Sequence, residues 1–307
     1  MMRVAVFGST GFVGSFLVDA LIAAGHEPSL MVRYGSEHKV RQAEHCRLVE
    51  GDLGSMTAID AALENCDAII YSVGILKEFP KQNITFEELQ YNGVVRVAEA
   101  AKVRGISRFL LMSANGAKSP GTPYQETKFR AEEHVRASGF DVTIFRPSVI
   151  FGEPRGRMEI GTQLYAEMIS PPIPAVGFFT GWHPHQGAIA MSPVHIEDVA
   201  QAFLTALRES STIGKTYIIG GPEALTWTEM LRRIARTVGR KKWILPMPIG
   251  IMKLAAALFE WLPFFPVTRD QLTMLAEGNT ADPAALTELI GRQPKAFNEA
   301  HLAYLRD

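Results

Sequence analysis

A doubly wound, parallel α/β sheet with a smaller, largely helical C-terminal region is the fold this sequence predicts. Three observations carry the expectation. Val4-Ala5-Val6-Phe7 is a short continuous apolar run, the pattern of a strand buried on both faces. It runs directly into Gly8, Gly11 and Gly14, spaced G-x-x-G-x-x-G, and then into a periodic apolar stretch, Phe12–Ala24, that reads as a helix. Downstream, short apolar runs and helical patterns alternate as far as Arg146, as successive βαβ units do.

Taken in order, strands are expected at Arg3–Phe7, Glu27–Val32, Arg47–Glu50, Ala68–Tyr71, Arg108–Met112 and Asp141–Arg146. Helices are expected at Phe12–Ala24, Met56–Leu63, Phe86–Arg104 and Tyr124–Ser138. Gly25 and Gly105 sit just past two of these helices, where C-terminal stops belong. The pattern changes after Gly152. Glu153–Gly187 clusters Pro, Gly and aromatic residues without a clear period. A helix returns at Val194–Leu207 and a strand at Thr216–Ile219, and beyond Thr226 the chain reads as helices punctuated by proline. The expected division is a dinucleotide-binding core over 1–152 and a substrate or C-terminal region over 153–307, with 188–220 returning to the core sheet.

Composition narrows the function. Across 307 residues, 31 Lys and Arg stand against 32 Asp and Glu, so nothing marks a nucleic-acid binder. Cys46 and Cys66 alone make no disulfide framework and suit a reducing, cytoplasmic setting. A strand beginning at Arg3 leaves no room for a leader peptide, and no apolar run is long enough to span a bilayer.

The glycine turn implies a phosphate site. Gly8 allows a tight turn, Gly11 lets the backbone approach a pyrophosphate, and Gly14 lets helix and strand pack closely. The helix N-terminus offers free N–H groups and partial positive charge, so Gly8, Ser9, Thr10, Gly11, Phe12, Val13 and Gly14 form the expected cradle. An acidic residue closing the second strand would bind the adenosine ribose of NAD. Here that strand closes with Met31-Val32-Arg33-Tyr34, and Arg33 offers a planar fork suited to a 2′-phosphate. NADP(H) is therefore the expected cofactor, with NAD the alternative. Asp52 is placed at the adenine edge, Leu53 on the ring, and Val73 and Gly74 beneath the pyrophosphate and nicotinamide ribose.

Tyr124 and Lys128 form a Y-x-x-x-K pair, which puts both side chains on one helix face. A neighbouring ammonium would favour the phenolate, so Lys128 is expected to lower the Tyr124 pKa and also to hold the cofactor ribose. Ser113 follows the fifth strand and could donate to a substrate oxygen. The catalytic candidates are thus Ser113, Tyr124 and Lys128. His183, His185 and His195 match no metal spacing, and no metal is expected. Phe178, Phe179 and Trp182 could line an apolar pocket or pack beneath one. Arg155 and Arg157 could meet an anionic substrate or stand in solvent.

On these residues the chain resembles the short-chain dehydrogenase/reductase superfamily in its extended and atypical branches. The segments that carry the likeness are Gly8/Gly11/Gly14, Asp52-Leu53, Ser113, Tyr124/Lys128 with Glu132, and Arg146-Pro147-Ser148 with Gly152. Within the superfamily it is most similar to the group of the Rossmann-type accessory subunit of mitochondrial complex I and its bacterial relatives. Ser113-Ala114-Asn115-Gly116-Ala117, the run from Thr143 to Ser148, the run from Pro193 to Ala200, Leu262-Pro263 and Thr268-Arg269-Asp270-Gln271 carry that closer likeness. The resemblance adds Pro147 and Ser148 to the cofactor site. Two departures stand out. Gln90 occupies a position where many extended members have Asn, and Ser113 precedes Tyr124 by a shorter interval than in sugar-nucleotide epimerases.

The resemblance implies an NADP(H)-dependent oxidoreductase or isomerase acting on a carbonyl or hydroxyl group of a small molecule, apolar or quinone-like. Its alternative is a non-catalytic NADP(H)-binding accessory or assembly factor of respiratory complex I. A sugar-nucleotide epimerase or dehydratase is the third reading. Ligand is expected at the carboxyl ends of the strands. A helix over Ile249–Leu262 carries only Lys253 and Glu260 as charges, so 249–265 either packs inside the C-terminal region or meets a membrane or a respiratory-complex partner. That would place a cytoplasmic protein peripherally on the inner membrane.

Overall fold

The computed structural model describes residues 1–181, 183, 187–259 and 268–306. Trp182, His185 and residues 260–267, which include Trp261, Leu262 and Phe264, lie outside the described residues. In chain order the elements are β1 (Arg3–Phe7), α1 (Phe12–Ala23), β2 (Glu27–Val32), β3 (Arg47–Glu50), α2 (Met56–Leu63), β4 (Ala68–Tyr71), α3 (Gly93–Val103), β5 (Arg108–Met112), α4 (Pro123–Ala137) and β6 (Asp141–Pro147). There follow β7 (Ile150–Phe151), α5 (Ile160–Leu164), β8 (Ala175–Phe179), β9 (Ala190–Met191), β10 (Val194–His195), α6 (Ile196–Arg208), β11 (Thr216–Ile219), β12 (Leu225–Thr226), α7 (Trp227–Thr237), β13 (Ile244–Pro248), α8 (Ile249–Phe259), α9 (Arg269–Glu277) and α10 (Pro283–Ile290).

The chain divides into two compact units. The first comprises Met1–Pro147, Ile196–Ile218 and Glu288–Gly291. Its sheet has the order β11-β6-β5-β4-β1-β2-β3. The strands from β3 to β6 pair in parallel. The order reverses between β1 and β4, the switch point that opens a crevice at the carboxyl ends of the strands. Alternation decides which side chain faces which layer. Ala5, Phe7, Ile69, Tyr71, Phe109, Leu111, Val142 and Ile144 share one buried core with residues of α2, α3 and α4. On the opposite face α1 packs against α6, and Phe145 meets Phe203 of α6 at 4.3 Å between ring centroids.

The helix expected over Phe86–Arg104 is divided. Glu87–Asn92 is a π-helical turn, and the α-helix starts at Gly93. The cause is a side chain inserted into the ladder. Tyr71 Oη donates to the Leu89 carbonyl at 2.6 Å, and the Gly93 N–H donates to Glu88 instead. A Cβ on Gly93 would lie 2.3 Å from that hydroxyl, so the turn needs glycine there.

The second unit comprises Ser148–His195, Ile219–Thr287 and Arg292–Asp307. Its core gathers around α7, which buries Trp227, Met230, Leu231 and Ile234. The capping box of Thr226 with Glu229 starts that helix. Two expectations are corrected here. The region Glu153–Gly187 holds strand β8, which pairs in parallel with β13. Pro246 and Pro248 hid β13, since proline argues against a strand except at an edge. Val194–His195 is likewise a strand, paired in parallel with Ile150–Phe151, and the helix begins at Ile196.

Candidate functional site

The glycine turn is built as its spacing requires. Gly8 has φ +94°, and a Cβ there would lie 3.0 Å from Ser72 and from the Val73 nitrogen. A Cβ on Gly14 would lie 2.0 Å from the Gly8 carbonyl oxygen, so helix and turn can meet only through glycine. Gly11 is the N-cap of α1 with no side-chain cap, and the first turn carries no acidic residue. The leading N–H groups of α1 are thus directed at no side chain of their own helix start. Ser9 is 3% exposed, and its hydroxyl has no hydrogen-bond partner among the described residues. Phe12 packs edge-on against Phe16, Val13 and Thr10 are half-buried, and Gly11 is exposed. A buried, unmatched hydroxyl beside an uncapped helix start fits a phosphate-bearing ligand.

The sheet order lines up the remaining expected contacts along one carboxyl edge. Arg33 follows β2 and is exposed, and its guanidinium makes no hydrogen bond or ion pair with the described residues. Asp52 follows β3, exposed, with Oδ1 accepting the Gly54 N–H at 2.8 Å. Leu53 is buried, and Arg96 donates to its carbonyl. A carboxylate near the end of β2 does exist, although the strand-end reading missed it. Glu37 lies in the following loop and accepts the Gly35 N–H at 3.0 Å. Backbone hydrogen bonds hold its pKa below the usual carboxylate value.

Helix α4 places the Y-x-x-x-K pair. Thr122 and Gln125 form a capping box, and Pro123 occupies the first turn, which fixes Tyr124 and Lys128 one turn apart. Lys128 is buried, and its Nζ donates to the carbonyls of Val73 at 3.2 Å and Met112 at 3.1 Å. An ammonium has three N–H donors, so one remains for a ligand hydroxyl. Burial lowers its pKa to about 8, with Glu132 pulling the other way. A Cβ on Gly74 would stand 3.5 Å from Nζ, which puts the backbone of Gly74 beside the ammonium.

Tyr124 is half-buried and packs edge-on against Phe86 at 5.6 Å. Its hydroxyl has no partner among the described residues. Burial pushes its pKa up to about 12. This corrects the expectation that Lys128 lowers it. The ammonium is engaged by two carbonyls, and desolvation dominates at the phenol. Tyr124 therefore keeps its proton at neutral pH.

Ser113 is also corrected. It is buried at the end of β5, and its Oγ donates to Glu132 Oε1. Glu132 is fully buried and bonds Arg146 at 2.7 Å through both guanidinium arms and Arg136 at 2.9 Å. With its proton directed to Glu132, Ser113 can accept from a substrate but not donate to it. Pro147 ends β6 and accepts the Asn115 N–H at 3.0 Å. Ser148 belongs to the second unit, where its hydroxyl donates to the Asn279 carbonyl at 2.6 Å.

Gln90 emerges from the structure as a residue that places others. It is buried in the π turn, its Nε2 donates to the Ile75 carbonyl at 3.0 Å, and Thr127 Oγ1 lies 3.4 Å from its Oε1. It thus links the segment after β4 to the helix that carries Lys128. Its only sequence signal is that it departs from Asn.

The other candidates separate. Phe178 and Phe179 are buried in β8, and Phe178 packs on Trp227. His195 is buried 5.1 Å from the Phe151 ring, and His183 is exposed. Arg157 donates to the Arg155 carbonyl at 2.9 Å. Both cysteines are free. Among the described residues no group of three His, Cys, Asp or Glu is placed to hold a metal, and no helix is long and apolar enough to cross a membrane.

Residues 8–170 match the model of a family described as NAD(P)H-binding. A ceramide reductase of Caulobacter vibrioides is 31% identical over 262 residues, covering 84% of this chain and 78% of that protein. The mitochondrial NADH-ubiquinone oxidoreductase 40 kDa subunit of Neurospora crassa is 26% identical over 292 residues, covering 92% of this chain and 72% of that protein. Among solved structures, the crystal structure of gox2253 superposes with a TM-score of 0.77 at 21% identity, over 99% of this chain and 96% of that one, a likeness of fold.

Proposed function

Because the chain belongs to the NAD(P)H-binding family, we propose that it is an NADP(H)-dependent oxidoreductase of the atypical short-chain type that reduces a carbonyl on an apolar or quinone-like small molecule. The observation that carries this reading is Tyr124. Its protonated, unpartnered hydroxyl stands one helical turn from an ammonium with a donor to spare. The nucleotide supplies the hydride when bound. Tyr124 would deliver its phenol proton to the carbonyl oxygen. Lys128 would hold the ribose and offset the charge left on Tyr124. Gly8, Ser9, Thr10, Gly11, Phe12, Val13 and Gly14 would hold the pyrophosphate, with Arg33 on a 2′-phosphate. Asp52 and Leu53 would take the adenine, and Val73, Gly74, Pro147 and Ser148 the nicotinamide end.

An apolar substrate is supported by Leu76 and Phe79, exposed in the segment after Gly74. Glu78 ties that segment to Phe86 by accepting its N–H at 2.6 Å, and Phe86 packs on Tyr124. The similarity to a protein named ceramide reductase points the same way.

A second reading is favoured by the Ser113–Glu132 bond, which removes one expected donor, and by the similarity to a mitochondrial NADH-ubiquinone oxidoreductase subunit. Here the chain holds NADP(H) without turnover as an accessory or assembly factor of respiratory complex I, with 249–265 as the contact to the complex or to the inner membrane. The deciding experiment is native mass spectrometry of the purified protein, followed by NADPH oxidation against long-chain ketones, aldehydes and quinones. Turnover that Tyr124→Phe abolishes supports the enzyme. Retained nucleotide with no oxidation across the panel overturns it in favour of the accessory reading.

A further inference from the structure

At one end of the second unit two loops are tied into a single ridge. The Ala175 N–H donates to the Trp243 carbonyl at 2.8 Å, where β8 and β13 begin. Arg240 donates to the Ser170 carbonyl at 2.8 Å, and Lys242 to the carbonyls of Ile169, at 3.0 Å, and Pro171. The ridge braced in this way holds Trp243 79% exposed and Ile173 66% exposed. A cleft of about 530 Å³ between the loops is lined by Ile169–Pro174 and Arg240–Trp243, with no acidic residue among them. Charge is one-sided over a longer stretch. Residues 230–259, between Glu229 and Glu260, contain seven Lys and Arg and no Asp or Glu, with Arg233 paired to Glu223. Helix α8 follows β13 without a gap and exposes Ile251, Leu254 and Leu258, a stripe at helical spacing.

We infer that this ridge docks on an anionic phospholipid bilayer, with Arg240, Lys241 and Lys242 meeting lipid phosphates and Trp243 and Ile173 entering the headgroup layer. Two features favour a bilayer. Large apolar side chains held out in water beside unopposed cations are the composition of interfacial segments. Trp in particular prefers the level where an apolar body and a polar tip are both satisfied. Each Lys or Arg near an anionic surface adds attraction that salt screens. Lys241 is exposed and makes no hydrogen bond or ion pair with the described residues. The docking surface does not depend on turnover. It also adds to 249–265 a ridge that no periodicity in the sequence marks.

The test uses the full chain with vesicles of phosphatidylcholine alone and of phosphatidylcholine with phosphatidylglycerol. Flotation is expected only with phosphatidylglycerol, and it should weaken as salt rises. Lys241→Glu and Trp243→Ala should each reduce vesicle binding by about tenfold, with thermal midpoint and nucleotide binding unchanged. Arg240 and Lys242 are left intact because they brace the loop. Should either variant melt early, Ile173→Ser takes its place, and quenching by brominated lipid that is smaller in Trp243→Phe than in the parent gives an independent readout. Absence of flotation with phosphatidylglycerol at low salt overturns the inference. So does binding that none of the ridge variants alters, or a solution dimer that Trp243→Ala dissolves.

Discussion

The Ser113 hydroxyl donates to the Glu132 carboxylate, and that bond commits its proton to a partner within the fold. Glu132 has no exposed surface, and Arg136 and Arg146 complete its shell. The cluster joins β5, α4 and β6, with Glu132 one helical turn beyond Lys128. Ser113→Ala should therefore cost about 1–2 kcal/mol of stability, the desolvation of one acceptor position. Glu132→Gln should cost more, about 3 kcal/mol, because it strips the half-buried Arg146 guanidinium of its counter-charge, while Arg136 keeps Glu133. Urea denaturation of both variants gives the order. If Ser113→Ala also abolished turnover at unchanged stability, Ser113 would be a donor after all.

Tyr124→Phe should leave nucleotide affinity within a few-fold of the parent and remove carbonyl reduction. The ring still packs on Phe86, while the proton is gone. Stopped-flow NADPH oxidation and a nucleotide titration on the same preparation separate the two effects.

Lys128 should make stability and nucleotide binding depend on pH in opposite ways. Its folded pKa is about 8, against an ordinary value of 10.5. Below pH 8 it is protonated in both states, and the folded state bears the full desolvation penalty. Between about 8 and 10.5 the folded chain releases the proton while the unfolded chain keeps it, so stability rises with pH. The gain from this group is at most about 3 kcal/mol. Nucleotide affinity should fall over the same rise, since the ammonium is lost. Denaturation and calorimetric titration across the window check this, and both trends should vanish in Lys128→Met.

NADPH should bind more tightly than NADH, and Arg33→Ala should remove about 1.5–3 kcal/mol from NADPH alone. Glu37, set near the same strand end, should oppose a 2′-phosphate, so Glu37→Gln should widen the preference. Isothermal titration with both nucleotides decides it. Equal affinities in the parent would exclude a phosphate contact at Arg33.

Gly14→Ala should abolish nucleotide binding, because its Cβ would stand 2.0 Å from the Gly8 carbonyl oxygen and must push the turn away from α1. Overpacking of this kind costs about 1–3 kcal/mol. Gly25→Ala is the control. Here φ is positive, at +75°, and the added methyl meets nothing within 4 Å. Strain without a clash should lower stability and spare binding.

The strands from β1 to β6, helices α1, α2 and α4, the glycine turn and the one-turn spacing of Tyr124 and Lys128 were legible because each depends on neighbours a few residues away. Period, glycine spacing and cap chemistry are local properties, and the sequence by itself determined them. Contacts across long loops were not legible. The π turn exists because Tyr71 reaches the Leu89 carbonyl from strand β4. The pairing of β8 with β13 joins residues about seventy apart through a strand that two prolines disguise. Tertiary structure alone decided that the Ser113 proton goes to Glu132 and that the Lys128 ammonium goes to Val73 and Met112. It alone decided that burial holds the Tyr124 phenol above its ordinary pKa. The physical reason is the same in each case. Proton positions and ionisation follow from burial and from partners brought together by folding, and no run of adjacent residues encodes either.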